Sequence, residues 1–109
     1  MLIIDRRGRE YMVKLQSGEV FNSHNGHFKH DSLFKKPAGS WVKTSQGNLM
    51  LAFHPTMGDF TKLMPRTATV VYPKDLGAIL ISGDIIPGAK VLEAGCGSGA
   101  VTICLMRAV

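Results

Sequence analysis

Short apolar runs separated by turn residues mark the first half of the chain. The clearest is at 49–53, where Leu49, Leu51 and Phe53 repeat with the period of two that places side chains on one face of a strand. Gly-, Asn- and Pro-containing turns bound three further short runs, at 11–15, 19–21 and 41–43. Strands of this length at this spacing predict a small, strongly curved sheet or a small β-barrel.

The second half of the chain carries helix signals instead. Thr56 and Asp59 have the spacing of a capping pair at the start of a short helix. Pro73 fits the first position of a second helix that runs to about Gly83. Val91 and Leu92 then predict a buried strand, and residues 100–109 have the composition of a third helix. The change of character divides the chain into a small β domain at 1–54 and a second region at 55–109.

Composition narrows the class of protein. The 109 residues are 45% hydrophobic and carry a net charge of +5, which is not the composition of a disordered chain. Two Cys are too few for a disulfide scaffold, and no apolar run is long enough for a membrane span or a signal peptide. We therefore expect a cytoplasmic protein. Phe28 and Trp41 are predicted to lie in the core of the β domain, because so small a domain needs its aromatic side chains inside.

A glycine cluster carries the chemical signal. The predicted strand at 91–92 runs into the pattern Glu93-x-Gly95-x-Gly97-x-Gly99 and then into a helix. Glycines let the backbone turn sharply and leave room for a ligand, while the helix behind them presents free N–H groups. The pattern fits the first motif of S-adenosylmethionine-dependent methyltransferases. It also fits the G-x-G-x-x-A fingerprint of dinucleotide-binding proteins, and a glycine turn without a ligand is a third interpretation.

Glu93 favours the first of these interpretations. A carboxylate beside the turn would repel a pyrophosphate, whereas S-adenosylmethionine has no phosphate and carries cationic sulfonium and ammonium groups. In a turn without a ligand, Glu93 would instead cap a backbone N–H. The motif alone is a hypothesis about the ligand.

Two longer segments resemble a known family, the tRNA (adenine-58-N1)-methyltransferases (TrmI-like proteins). They are Leu63–Asp75 (LMPRTATVVYPKD) and Gly83–Gly95 (GDIIPGAKVLEAG). Upstream, His30–Phe34 and Pro37–Ser40 resemble the N-terminal β domain of the family. The resemblance covers nearly the whole chain from Leu2, and the Tyr72–Asp75 segment is its most specific part.

The resemblance implies an α+β fragment, in which a small barrel-like β domain precedes the beginning of a Rossmann-like methyltransferase domain. It implies S-adenosylmethionine as cofactor, tRNA as partner, a homo-oligomer that is a tetramer at full length, and no metal or membrane. The segment Tyr72, Pro73, Lys74 and Asp75 is expected to cover the cofactor. The glycine turn is expected to hold it through Glu93, Ala94, Gly95, Cys96, Gly97, Ser98, Gly99, Ala100 and Val101.

The family's ribose-binding acidic residue and adenine-binding aspartate have no counterpart in these residues. We therefore expect the chain to be an N-terminal portion that has no catalytic residue and no activity alone. Two other functions stay open, a free-standing tRNA-binding or oligomerisation module and part of a nicotinamide-dependent oxidoreductase.

Two further groups of side chains bear on partners. His24, His27 and His30 are three residues apart, but a turn at Asn25-Gly26 and the absence of a nearby Cys disfavour a zinc site. Basic side chains make the β domain a candidate surface for tRNA phosphates, with an ordinary solvated face as the alternative. These side chains are Arg9, Lys29, Lys35, Lys36 and Lys43.

Overall fold

A computed structural model describes all residues from Met1 to Val109. They form two compact units, Met1–Pro55 and Thr56–Val109. The first unit contains six strands and one turn of 3₁₀ helix, His30–Ser32. The strands are β1 (Leu2–Ile4), β2 (Glu10–Met12), β3 (Val20–Ser23), β4 (Gly26–Lys29), β5 (Ser40–Lys43) and β6 (Leu49–Phe53). The second unit contains three helices, α1 (Met57–Leu63), α2 (Pro73–Ser82) and α3 (Ala100–Ala108).

The strands of the first unit form two separate sheets. Four of them make an antiparallel sheet in the order β2-β1-β6-β5, and β3 pairs with β4 alone. Ile3 lies opposite Ala52, and Val42 lies opposite Met50, so the register brings these four buried side chains onto one face of the larger sheet. Phe21 and Phe28 of the smaller sheet pack in the same core, with ring centroids 5.0 Å apart.

The prediction of a barrel is wrong, because the sheets are open. Closing a barrel needs continuous pairing between strands. Here β4 and β5 do not pair, and the nearest backbone hydrogen bond runs from Ser45 N, two residues after β5 ends, to His27 O of β4 at 2.8 Å. Strands of three to five residues are too short to coil round and meet. The α+β class is confirmed.

The core prediction is confirmed for one aromatic residue and wrong for the other. Phe28 is buried at 5% exposure, whereas Trp41 is 54% exposed. Neighbouring side chains of a strand point to opposite faces, and in β5 the inward position belongs to Val42. In β6 the shared face of Leu49, Leu51 and Phe53 is half-buried, while the opposite face is fully buried.

Asp5 joins two turns of the first unit. Its Oδ1 accepts hydrogen bonds from Arg7 N at 2.8 Å and Arg9 N at 3.0 Å. Its Oδ2 accepts from Arg9 Nε at 2.8 Å and from Asn25 Nδ2 at 3.0 Å. Burial raises the pKa of Asp5, but the backbone bonds from Arg9 and Arg7 and the Arg9 side chain outweigh it and lower the pKa to about 2.

The helices of the second unit follow local signals closely. Thr56 and Asp59 form the predicted capping box at α1, with Asp59 N donating to Thr56 Oγ1 at 3.1 Å and Thr56 N donating to Asp59 Oδ2 at 2.9 Å. Pro73 is the first residue of α2, as predicted. The longest helix has ten residues, and none has the length and apolar character of a membrane span.

The predicted buried strand at Val91 and Leu92 is absent. Both residues have irregular backbone, and the Leu92 side chain is 95% exposed. A strand of this kind depends on neighbouring strands for its backbone hydrogen bonds. No strand pairs with this segment, so it is not part of a sheet.

Candidate functional site

The glycine turn, Gly95 to Gly99, has a backbone that its glycines make possible. Gly95, Gly97 and Gly99 have φ values of 78°, 53° and 86°, in the left-handed region that other residues rarely adopt. A Cβ placed on Gly95 or Gly99 would meet no atom within 4 Å. Conformation rather than crowding therefore requires these two glycines, and the turn leaves open space beside its backbone.

The helix that follows the turn begins without a side-chain cap. Gly99 is the N-cap of α3 and has no side chain to accept hydrogen bonds from the first turn, whereas α1 has a complete capping box. The first N–H groups of a helix need partners from outside it, and together they form its partially positive end. The start of α3 at Ala100 and Val101 is therefore available to a polar or anionic group of a ligand.

A cavity of about 100 Å³ lies beside the turn and the start of α3. Sites for whole ligands of drug size usually measure roughly 300–1,000 Å³, so this cavity fits only part of such a ligand. Its lining contains seven of the predicted site residues and three that the sequence did not indicate. The former are Glu93, Gly95, Cys96, Gly97, Ser98, Ala100 and Val101, and the latter are Thr69, Val70 and Val71.

Ser98 holds the two sides of this cavity together. Its hydroxyl donates to Ala68 O at 2.8 Å and accepts from Ala68 N at 3.0 Å. We call this pair of bonds the Ser98–Ala68 clamp. Because Ala68 directly precedes Thr69, the clamp positions the 69–71 segment against the glycine turn. In the sequence, this segment is distinguished only by its three consecutive β-branched residues.

Glu93 lies in the lining of the cavity and also of a neighbouring one of about 280 Å³. The structure contains no side-chain hydrogen bond to its carboxylate, so Glu93 does not act as a cap of the turn. Its negative charge therefore faces an opening with no cationic side chain in the lining.

The remaining predicted residues lie outside the lining of the cavity. Tyr72 and Pro73 begin α2, where the Arg66 guanidinium lies 5.9 Å from the centre of the Tyr72 ring. Lys74 and Asp75 form an exposed ion pair of 3.1 Å. Ala94, which directly precedes the turn, and Gly99, which ends it, do not line the cavity either. Their proposed role in cofactor binding stays a prediction.

The cysteines and histidines take no part in this site beyond Cys96. Cys96 is an exposed free thiol in the turn, and Cys104 is buried in α3. His30 is buried and its Nδ1 accepts from Gln16 N at 3.1 Å, while His27 Nδ1 lies 3.0 Å from Ser45 Oγ. No three His, Cys, Asp or Glu side chains come together as metal ligands.

The chain is similar in sequence to known proteins. Residues 2–42 match a family described as TrmI-like N-terminal. The whole chain is 41% identical to tRNA (adenine(58)-N(1))-methyltransferase TrmI of Thermus thermophilus and covers 43% of that protein. The resemblance to the tRNA (adenine-58-N1)-methyltransferase family is confirmed. The chain spans about two fifths of the length of this curated relative.

Two solved methyltransferases have the same fold over this region. A SAM-dependent O-methyltransferase from Thermotoga maritima matches with a TM-score of 0.89 and 31% identity, over 98% of this chain and 40% of its own. The tRNA (m1A58) methyltransferase TrmI of Aquifex aeolicus matches with a TM-score of 0.77 and 26% identity, over 98% and 41%. These likenesses favour the methyltransferase interpretation of the glycine turn over the dinucleotide one.

Proposed function

We propose that this chain is the N-terminal part of an S-adenosylmethionine-dependent methyltransferase that modifies N1 of adenine 58 in tRNA. The observation that carries the proposal is the open glycine turn, with Glu93 on one side and the uncapped start of α3 on the other. The 41% identity to a relative of that name supports the choice of substrate. By the same family resemblance, we propose that the complete protein is a cytoplasmic homotetramer. Residues 55–109 would then contain a linker helix and the beginning of a Rossmann-like methyltransferase domain.

The residues present fit the amino-acid end of the cofactor. Glu93 offers a carboxylate to a cationic group, and the free N–H groups at the start of α3 offer donors to a carboxylate. The glycines at 95 and 99 leave open space beside the backbone. The cofactor supplies a methyl group already activated on a sulfonium. What this chain contributes is therefore binding and orientation, since placing the reactants is the main requirement of such a transfer.

The cavity is too small to hold the whole cofactor, and the proposal accounts for this. We expect the cavity of about 100 Å³ to receive only part of the cofactor, at its amino-acid end. The remainder of the site is expected from residues beyond those described, so the 109-residue chain alone should show no turnover.

Methyl transfer by the protein encoded by the complete reading frame containing these residues (the complete gene product) tests the proposal. Labelled S-adenosylmethionine and an unmodified tRNA transcript should give label at position 58. A transcript with guanine at that position is the matched control. Equal labelling of both transcripts would refute the assignment to adenine 58, and robust turnover by the 109-residue chain would refute the incomplete site.

The likeness to a protein described as an O-methyltransferase gives one alternative, transfer to oxygen. Digestion of the labelled RNA to nucleosides distinguishes the two. Label on the adenine ring supports transfer to N1, and label on a ribose or on a small hydroxylated substrate would support the alternative.

A further inference from the structure

A groove of about 560 Å³ lies between β4 and β5 in the first unit. One backbone hydrogen bond spans the groove at one end, where Ser45 N, two residues after β5, donates to His27 O of β4 at 2.8 Å. No further backbone hydrogen bonds join β4 to β5, and the groove lies between the two strands. Its apolar floor includes Phe28 and Val42, which belong to the core, and the partly exposed Val20. The groove is thus a direct result of the open sheets.

Three lysines line this groove, namely Lys29, Lys36 and Lys43, and we call it the lysine groove. No Asp or Glu belongs to its lining. None of the three forms an ion pair, since the salt bridges of the chain are Arg9–Asp5 and Lys74–Asp75. Their positive charges are therefore available to a ligand.

The charged and polar groups near the three lysines do not neutralise the positive charge of the groove. The charge of Lys29 reaches Asp31 and contributes to lowering its pKa, but hydrogen bonds from Gly18 N and Ser17 Oγ have the larger effect. These two bonds, at 2.9 and 2.8 Å, hold the Asp31 carboxylate against another turn. Lys36 Nζ donates to Trp41 O at 3.3 Å and keeps further N–H donors free.

We propose that the lysine groove binds the phosphate backbone of RNA. A phosphodiester chain carries one negative charge per nucleotide and is complementary in charge to a groove lined by three lysines without ion-pair partners. The apolar floor around Val20 suits the uncharged sugar and base faces between phosphates. The choice of RNA over an acidic protein rests on the proposed function, in which tRNA is the substrate. Of the five basic residues that the sequence suggested as phosphate contacts, the proposal keeps the three that line the groove and leaves out Lys35 and Arg9, which do not.

Two double variants with equal loss of charge test the proposal. Lys29→Ala with Lys43→Ala removes charge from the groove, and Lys14→Ala with Lys35→Ala removes it from exposed positions outside. Binding of the complete gene product to an unmodified tRNA transcript is measured across a salt series. Each phosphate contact contributes a slope of about −0.7 to −0.9 to log K against log salt. We expect the groove variant to flatten the slope by roughly 1.4–1.8 and to bind roughly tenfold or more weakly at 0.1 M salt.

A line parallel to that of the wild type, or an equal change in the outside variant, would overturn the groove. Competition with polyglutamate provides a second test, because equal displacement by polyglutamate and by an RNA homopolymer would overturn the choice of RNA. If the Ala variant unfolds, Lys29→Gln with Lys43→Gln keeps the side-chain length and answers the same question. If the wild type transfers methyl groups to tRNA but the groove variant keeps the wild-type salt slope, the proposed function stands and the groove proposal is refuted. If tRNA binding depends on the groove lysines but no methyl transfer occurs, the groove proposal stands and the proposed function is refuted.

Discussion

The Ser98–Ala68 clamp makes a measurable contribution to the candidate site. Ser98→Ala removes both hydrogen bonds to the Ala68 backbone, at 2.8 and 3.0 Å. A hydrogen bond contributes roughly 0.5–1.5 kcal/mol net. Because Ala68 is exposed, water can solvate the freed N–H and C=O, which places the pair at about 1–2 kcal/mol. Loss of the clamp should therefore lower the free energy of unfolding moderately, and its main effect should be a less ordered segment 69–71.

Amide hydrogen exchange at Ala68 reads out the clamp locally. A loss of about 1–2 kcal/mol corresponds to roughly 5- to 30-fold faster exchange of the Ala68 N–H. The unfolding temperature of the second unit should fall by roughly 4–8 °C for each kcal/mol lost. Affinity for S-adenosylmethionine in the complete gene product should fall too, since the clamp positions one wall of the cavity.

Matched variants keep the reasoning testable. Ser98→Thr keeps the hydroxyl and should preserve most of the protection at Ala68. Ser82→Ala removes an exposed hydroxyl that makes no hydrogen bond and should change the stability by less than about 0.5 kcal/mol. Unchanged exchange at Ala68 in Ser98→Ala would refute the clamp as the link between the turn and the 69–71 segment.

Three further predictions concern single residues. Glu93→Gln in the complete gene product should weaken S-adenosylmethionine binding roughly 10- to 100-fold by calorimetry, because a charged hydrogen bond is worth about 1.5–3 kcal/mol. Asp5, whose pKa is lowered to about 2 from an unfolded value of about 3.9, stabilises the first unit above pH 4. That stabilisation should disappear as the pH falls from about 4 to about 2, so the unfolding midpoints of wild type and Asp5→Asn should converge over this range. Gly26→Ala should destabilise the first unit by roughly 1–3 kcal/mol in denaturant unfolding, because φ is 101° and the new Cβ would lie 2.9 Å from Ser45 Oγ.

Each of these has an outcome that contradicts it. Calorimetry in which Glu93→Gln binds no more weakly than the exposed control Glu10→Gln would show that the Glu93 carboxylate does not bind the cofactor. A difference between wild type and Asp5→Asn that stays constant with pH would rule out titration of Asp5 as its source. Gly8 also has a positive φ, but a Cβ there meets nothing within 4 Å. Equal costs of Gly8→Ala and Gly26→Ala would therefore show that crowding at position 26 is unimportant.

The sequence predicted those parts of the fold that neighbouring residues determine. The capping box of Thr56 and Asp59 and the helix start at Pro73 depend on residues three or four positions apart, and both are present as predicted. The barrel and the strand at Val91 depend on pairing between distant segments, and both predictions were wrong. Local patterns contain the conformation of a segment but not the partner it pairs with.

The candidate site shows the same division. The glycines at 95, 97 and 99 have the left-handed backbone that the motif implies. Thr69, Val70 and Val71 enter the lining because Ser98 bonds to Ala68, thirty positions earlier in the chain. No spacing rule connects residues so far apart, which is why the sequence indicated the Tyr72–Asp75 segment and missed the three residues before it.

The open sheets leave strand edges that can pair with another molecule. β4 and β5 each have one neighbour in a sheet, so each presents an unpaired edge. Such edges promote association between copies of a chain, and lysines placed on them oppose it. Lys29 ends β4 and Lys43 ends β5. Removing both charges should therefore make the first unit self-associate at high concentration. A substitution that lowers the positive charge of the groove would at the same time lower the charge repulsion that keeps these edges from pairing with another copy.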